Sequence, residues 1–316
     1  MRLPGVSLIA RAERSASEIK VPLAENLSLS HLLRQTYRQA DEDALNIHAA
    51  SLAYHSLFAT FLLLVFLISL LGVFHASDFV GTMLDRVSLA MPAAVSALIR
   101  EQLPKSTEGD PARTAFTIGA VVSILGALWG VSTAFRTVMQ ATNVIYKVRE
   151  GRPAWKIYAI AVLLSLAVTV LLLAAAALVV AGEAIGIRIA ELVGLGEVFR
   201  FVWSIAQWPI FVLCVLMAFA LVYYYAPDVQ QEFRFITPGS VVGVGLWLVF
   251  TLLFLGFVNI FGVYNRVYGA IAGVAIHMLY MYYFSYFLLL GAEMNQVIEQ
   301  HSPGGKCAGE KVPPGG

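Results

Sequence analysis

Residues 264–300 read YNRVYGAIAGVAIHMLYMYYFSYFLLLGAEMNQVIEQ. Between Arg266 and Glu293 lie 26 residues without a charged side chain, and at about 1.5 Å per residue a helix of that length crosses a bilayer core roughly 30 Å thick. The stretch reads as a membrane span. Its early turns are small (Gly269, Ala270, Ala272, Gly273, Ala275) and its later turns aromatic (Tyr280, Tyr282, Tyr283, Phe284, Tyr286, Phe287). At about 100° per residue Gly269, Gly273, His277 and Asn295 share one side, where small and polar groups are expected to meet protein while lipid sees the other side.

Working outward, the rest of the chain has the same character. Of 316 residues 59% are hydrophobic and 13% charged, which is more apolar surface than one soluble core can hide. Six intervals lack Asp, Glu, Lys and Arg: 44–77, 114–135, 157–182, 201–227, 235–265 and 267–292. A charge in mid-membrane costs about 2.5–3.5 kcal/mol on the insertion scale, so six such gaps predict six spans. The expected fold class is all-α, a polytopic membrane protein with six transmembrane helices plus interfacial amphipathic helices. The predicted organisation is a cytoplasmic N-terminal segment over 1–43, a six-helix domain over 44–299 and a disordered cytoplasmic tail over 300–316.

Outside the spans, two segments suggest surface helices. LSLSHLLRQTY (27–37) interleaves leucines with basic residues and predicts a short helix on the membrane surface; Asp41, Glu42 and Asp43 then suit the positive end of the first span. Residues 78–113 alternate Phe79, Met83, Val87, Leu89 and Met91 with Asp78, Asp85 and Arg86, which predicts a second interfacial helix. No apolar run follows the first basic residues, so a cleaved signal peptide is not expected. The formal charge of +1 is uninformative, but its distribution is not. Of the 21 Lys and Arg, 14 fall in the N-terminal segment, the 136–156 and 228–234 loops and the tail, and the remaining 7 in the alternate loops. That excess predicts both termini in the cytoplasm. Three helices per half would also invert the halves, and the faint echo between 119–129 and 239–247 is compatible with an inverted repeat or with chance. Cys214 in a span and Cys307 in the tail make no disulfide framework.

Polar residues are scarce in the spans and therefore informative. His48, Ser51 and His55 recur on one face with Tyr54 beside them, and lipid offers such groups no hydrogen-bond partner. They read either as a proton relay or headgroup contact, or as a hydrogen-bonded stripe that fixes packing. Beyond the second span, Arg136, Gln140, Asn143 and Lys147 share a face that suits an anionic headgroup or simply water. Asn259, Tyr264, Asn265 and Arg266, with Glu293 and Asn295 at the other end, read as helix caps or gates, and Glu293 or Asn295 is expected to pair with Arg136 or Lys147. Pro227 ends the fourth span, whose tyrosines 223–225 suit an interfacial belt. Pro238 suits the first turn of the fifth. Gly126, Gly130, Gly239, Gly243, Gly269 and Gly273 are expected at close helix contacts.

The pieces LNIHAASLAYHSLFATFLLLVF (45–66), FRTVMQATNVIYKVREGRPAWK (135–156), YYYAPD (223–228), ITPGSVVGVGLW (236–247) and YNRVYGAIAG with LLLGAEMNQVIE (264–299) together resemble the YihY/BrkB family of bacterial inner-membrane proteins. The resemblance covers roughly 30–299. It implies a six-helix protein of the bacterial cytoplasmic membrane without a settled biochemical activity. Family members were once labelled ribonuclease BN, and some are linked to serum resistance or tolerance of altered lipid A, which implies traffic of lipid-like molecules.

The residues do not suggest a nuclease. The six histidines (31, 48, 55, 75, 277 and 301) are spread over different helices, and no metal-ligand spacing is present, so no metal, cofactor or catalytic residue is expected. The cytoplasmic basic residues are those that orientation alone requires, so nucleic acid is not an expected partner. Expected partners are membrane lipids and a lipid-like substrate, with association between copies left open. The sequence therefore reads first as a transporter or flippase for an anionic amphiphile, with a non-catalytic envelope scaffold as the alternative.

Overall fold

A computed structural model describes residues 28–74, 110–191, 196–260, 262–302, 305–307 and 309–312. Their regular structure is seven α-helices: α1 Leu29–Glu42, α2 Leu45–Phe74, α3 Asp110–Ile145, α4 Ala154–Glu191, α5 Gly196–Tyr225, α6 Pro238–Ile260 and α7 Gly262–Gln300. Among the described residues four stretches are long and apolar enough to cross a membrane: Ala154–Val179, Glu197–Tyr225, Pro238–Val258 and Ala272–Gln300. The other two expected spans, 44–77 and 114–135, fall largely on α2 and α3, helices of 30 and 36 residues whose side chains lie partly outside the described set. The amphipathic helix expected over 78–113 lies outside the described residues up to 109, and from Asp110 the chain already belongs to α3.

Leu163, Leu166, Val170 and Leu173 stand exposed along one side of α4, and Phe201, Val202, Ile205 and Trp208 along α5. Faces this apolar need lipid, because in water they would drive association. Between these two helices Phe199 and Trp203 stack at 5.7 Å and lie over Gly186 and Gly182, where a side chain of any size would meet the rings.

The chain divides into two compact units. The first comprises Met1–Asn46, Val138–Leu246 and Tyr286–Gly316; the second comprises Ile47–Thr137 and Trp247–Ser285.

In the first unit one side of α1 is covered by protein. Leu32, 1% exposed, packs on Met294, Val297 and Ile298 of α7, with Leu29 and Val242 alongside. Of the large apolar residues of α1, Leu33 and Tyr37 on the outer side remain exposed. Helix α3 ends in a left-handed cap: Lys147 has φ 58°, its N–H bonds the Val144 carbonyl, and the Val148 N–H bonds that of Asn143. Glycine usually fills this position. Here the lysine ammonium bonds Asp43.

After that cap, Arg152 gathers three segments. Its guanidinium bonds Glu150 through two nitrogens at 2.8 Å and donates to the Tyr225 and Ala226 carbonyls at 3.2 and 2.9 Å, satisfying the end of α5. Burial alone would raise the Glu150 carboxyl, but hydrogen bonds from Arg152, the Arg152 charge and a bond from Asn143 outweigh it and bring the carboxyl down to about 2. The start of α6 is equally well satisfied. Thr237 and Ser240 exchange backbone-to-hydroxyl bonds at 3.0 and 3.1 Å, and Pro238 occupies the first turn.

The tail differs from the expected disordered segment in its described parts. Lys306 is 4% exposed, bonds Glu299 at 2.8 Å and donates to the Gln230 carbonyl. Lys311 pairs with Asp228, and the Gln230 N–H bonds the Lys311 carbonyl at 2.7 Å. Proline and glycine suggest a solvated tail, yet these two lysines find acceptors on the 228–231 loop and α7.

The second unit packs α2 on α3 through small residues. A Cβ at Gly130 would sit 3.4 Å from the Ala59 Cα, and one at Gly126 would sit 3.2 Å from Leu62. Elsewhere in this unit Trp247 donates to the Tyr280 hydroxyl at 3.0 Å, and Phe250, Phe254 and Tyr280 form an aromatic cluster.

Candidate functional site

The ends of α5, α6 and α7, the 230–237 loop and the docked tail enclose a cavity of about 410 Å³ within the first unit. Tyr146, Tyr223, Tyr224, Gln231, Arg234, Asn295, Glu299 and Lys306 are among its lining residues. Each is placed by a local reason. Tyr223 donates to the Leu288 carbonyl at 2.8 Å, and Gln231 reaches back to the Tyr223 carbonyl, so the loop folds over the end of α5. Asn295 accepts from the Gly239 N–H at 2.8 Å and donates to the Thr237 hydroxyl at 2.9 Å, locking α6 to α7.

Tyr146 donates weakly to Gln231 at 3.4 Å, and the Lys306 ammonium lies 5.9 Å from its ring centre. Burial, reinforced by the negative charges of Glu299 and Glu293, pushes its phenol well above the ordinary range, so it serves as a neutral donor. Lys306 is engaged by Glu299, whereas Arg234 has only a loose pair with Glu232 at 3.6 Å, both side chains being more than half exposed. Exposed pairs of that kind are worth little. The lining thus carries two basic side chains, Arg234 and Lys306, and two acidic ones, Glu232 and Glu299.

The sequence-predicted residues are distributed over both units. In the second, His48, Ser51 and His55 are half-buried, and the His55 Nδ1 is already bonded to the Ser51 carbonyl at 2.8 Å. Tyr54 is 53% exposed and packs edge-on against His55 and Phe58. His277 is half-buried, with its Nε2 enclosed and unpartnered, and Arg136 is half-buried. In the first unit Gln140 is exposed, but Asn143 is 5% exposed and bonds Glu150 and the Asp228 N–H. Of the expected contacts, Lys147 lies within electrostatic reach of Glu293 but bonds Asp43, Asn295 bonds the start of α6, and neither Glu293 oxygen has a hydrogen-bond partner among the described residues.

Gly239 and Gly243 meet the backbone of α7, whereas a Cβ at Gly273 would have nothing within 4 Å among the described residues. The side chains of Asn259, Tyr264, Asn265 and Arg266, and the surroundings of Gly269, lie outside the described residues. Tyr223 is also a correction: it is 7% exposed and braces α7, and among 223–225 only Tyr225 is exposed enough for a belt. Gly291, Gln231, Arg234 and Lys306 were not legible as site residues. Only the proximity of Gly239-x-x-x-Gly243 to another glycine could have pointed to Gly291.

Long apolar helices, bare apolar faces and a polar cavity at the helix ends define a polytopic helical membrane protein. Within that class the chain belongs to the family described as virulence factor BrkB, whose model matches residues 36–313. It is similar to the ribonuclease-like protein YfkH of Bacillus subtilis (strain 168), 27% identical over 80% of this chain and 89% of that protein. It is also similar to the UPF0761 membrane protein of Xanthomonas oryzae pv. oryzae (strain PXO99A), 24% identical over 83% of this chain. A third relative, UPF0761 membrane protein XAC0937 of Xanthomonas axonopodis pv. citri (strain 306), is likewise 24% identical over 83% of this chain. The match spans 59% of the length of either Xanthomonas protein. No solved structure matches this chain. The ribonuclease-like name is the Bacillus protein's own; among the described residues of this chain no three His, Cys, Asp or Glu side chains are grouped to hold a metal ion.

Proposed function

We propose that this is a six-span protein of the bacterial inner membrane with both termini cytoplasmic, and that it carries an anionic, lipid-like amphiphile in the manner of a flippase. The single observation that carries this reading is the cavity of about 410 Å³, lined by polar groups and Arg234 at the ends of three helices of membrane length. In the proposed orientation the 228–234 loop and the tail are cytoplasmic. The cavity then lies at the headgroup level of the inner leaflet, where tyrosine, glutamine and arginine suit a phosphate-bearing head. In the second unit the half-buried His48, Ser51, His55, Arg136 and His277 are proposed as further polar contacts for the same class of molecule, because half-buried polar groups in a membrane helix mark functional positions more often than chance.

The test is headgroup transfer in proteoliposomes containing a fluorescent anionic phospholipid, with an impermeant quencher added outside. Wild-type protein is expected to expose the inner-leaflet label to the quencher. Arg234→Ala is expected to slow that step roughly tenfold, the size of one lost hydrogen bond to a charged group. Transfer no faster than in protein-free liposomes would reject the carrier reading.

A further inference from the structure

The residues that follow α7 return to the molecule without an apolar anchor. Between His301 and Gly316 the one branched aliphatic side chain is Val312, and it is 37% exposed. Polar contacts hold this segment instead, and they reach three separate parts of the first unit. The Lys306 ammonium bonds Glu299 on the last turn of α7 at 2.8 Å and donates to the Gln230 carbonyl. The Lys311 ammonium bonds Asp228, and the Lys311 carbonyl accepts from the Gln230 N–H at 2.7 Å. Past the end of α3, the Tyr146 carbonyl accepts from the Gly309 N–H at 3.2 Å. Two glycines make room for these contacts: a Cβ at Gly305 would fall on the Glu299 carbonyl oxygen, and one at Gly151 would lie 2.8 Å from the Lys311 ammonium.

The same segment is a wall of the cavity, which Ser302, Gly305 and Lys306 line together with Gln230 and Glu299. The Lys306 side chain is 3% exposed, so its ammonium is shielded while the segment is docked. Yet both of its ion pairs can part without stranding a charge. Asp228 keeps Arg152 at 3.7 Å when Lys311 leaves, and the Glu299 side chain is 27% exposed, so water can take the place of Lys306. The Lys311 and Asp228 side chains are themselves 39% and 20% exposed, and pairs open to water contribute little. A lysine beside an anionic bilayer surface gains about as much as such a pair. What holds the segment and what would draw it off are therefore of similar size.

We propose that residues 305–312 form an ionic strap that closes the cavity, and that an anionic lipid surface opens it by taking up Lys306 and Lys311. The strap docks where α5 and α7 end and α6 begins, the level at which helices of membrane length leave a bilayer. Its lysines are thus within reach of lipid headgroups. Opening withdraws Gly305 and Lys306 from the cavity wall and leaves Arg234 as the basic residue of the lining. In its consequence for lipid transfer the proposal rests on the carrier reading, while the docking and release of the strap do not.

The test reads access to the cavity. Ser302→Cys, in full-length protein that also carries Cys214→Ala and Cys307→Ala, places one thiol on the cavity wall and leaves the strap's backbone bonds in place. Its reaction with a neutral polyethylene glycol maleimide is followed in nanodiscs of phosphatidylcholine, alone or mixed with phosphatidylglycerol, at constant ionic strength. The anionic lipid is expected to speed the reaction roughly tenfold, within what two lysines gain at an anionic surface. A thiol at exposed Gln140 (Gln140→Cys) is expected to react equally in both. Lys306→Gln combined with Lys311→Gln, and separately Gly305→Ala, are expected to give the fast rate in phosphatidylcholine and to lose the dependence on lipid. Equal rates in the two lipids with the strap unsubstituted would overturn the proposal, as would a lipid response that survives the lysine substitutions or one matched by inorganic phosphate in solution. Should the lysine variant not fold, the lipid comparison on the unsubstituted strap decides alone. Lipid transfer plays no part in this reaction, so an unresponsive thiol leaves the carrier reading standing, and a failed carrier leaves the strap to this result.

Discussion

Gly239→Ala is expected to destabilise the protein by about 3 kcal/mol, the upper end of the range for overpacking a tight contact. A Cβ at Gly239 would fall on the Gly291 carbonyl oxygen and 2.6 Å from Asn295 Oδ1, the atom that holds the start of α6. A Cβ at Gly291 would in turn meet the Tyr223 hydroxyl and the Gly239 carbonyl. Backbone faces backbone here, so neither side can yield by changing a rotamer. Gly243→Ala is expected to cost less, since its Cβ would lie 2.9 Å from the Phe287 carbonyl. Gly273→Ala is the control: with nothing within 4 Å of its Cβ, the change is expected to be neutral or to gain the roughly 1 kcal/mol by which alanine exceeds glycine in a helix. Denaturant unfolding in detergent measures all three, and equal effects at Gly239 and Gly273 would contradict the packing described.

Arg152→Ala is expected to cost about 2–3 kcal/mol, less than the roughly 3–5 kcal/mol of breaking a fully buried ion pair, because Glu150 keeps some contact with solvent. The arginine side chain is 8% exposed and serves Glu150 and two α5 carbonyls, with Asp228 3.7 Å away. Lysine at this position is expected to restore less than half of the loss, since one ammonium cannot reproduce the planar fork. Acid should expose the same cluster. The Glu150 carboxyl is depressed from its ordinary 4.5 to about 2 in the folded chain, so its contribution is complete above pH 4.5 and is lost as pH falls toward 2. Glu150→Gln is expected to flatten the pH dependence of the unfolding midpoint across that window. A slope unchanged from wild type would show that this carboxylate is not held by Arg152.

Much of the fold was legible because hydrocarbon is an unforgiving solvent. The intervals free of charge between 157 and 292 coincide with four long apolar helices, and Pro227 and Pro238 bound the fifth and sixth helices where backbone chemistry demands it. The candidate site was far less legible. Its lining comes from Tyr146, the 223–238 segment and the 295–306 segment, and no local period connects residues so distant in the chain. Tyr223 looked like a belt residue because an aromatic ring at a helix end suits either an interface or a neighbouring carbonyl. Lys306 looked solvated because burying a lysine requires two acceptors, Glu299 and the Gln230 carbonyl, that only the folded chain supplies. Likewise, the amphipathic pattern of α1 identified an apolar stripe but not that Leu32 within it packs on α7.

The most direct measurement is photocrosslinking in liposomes with an anionic phospholipid that carries the reactive group on its head, followed by mapping of the modified peptides. The expected result is modification concentrated in 223–238 and 295–306 and suppressed by Arg234→Ala. Modification spread along the exposed apolar faces of α4 and α5, and indifferent to Arg234, would contradict a cavity that receives the headgroup.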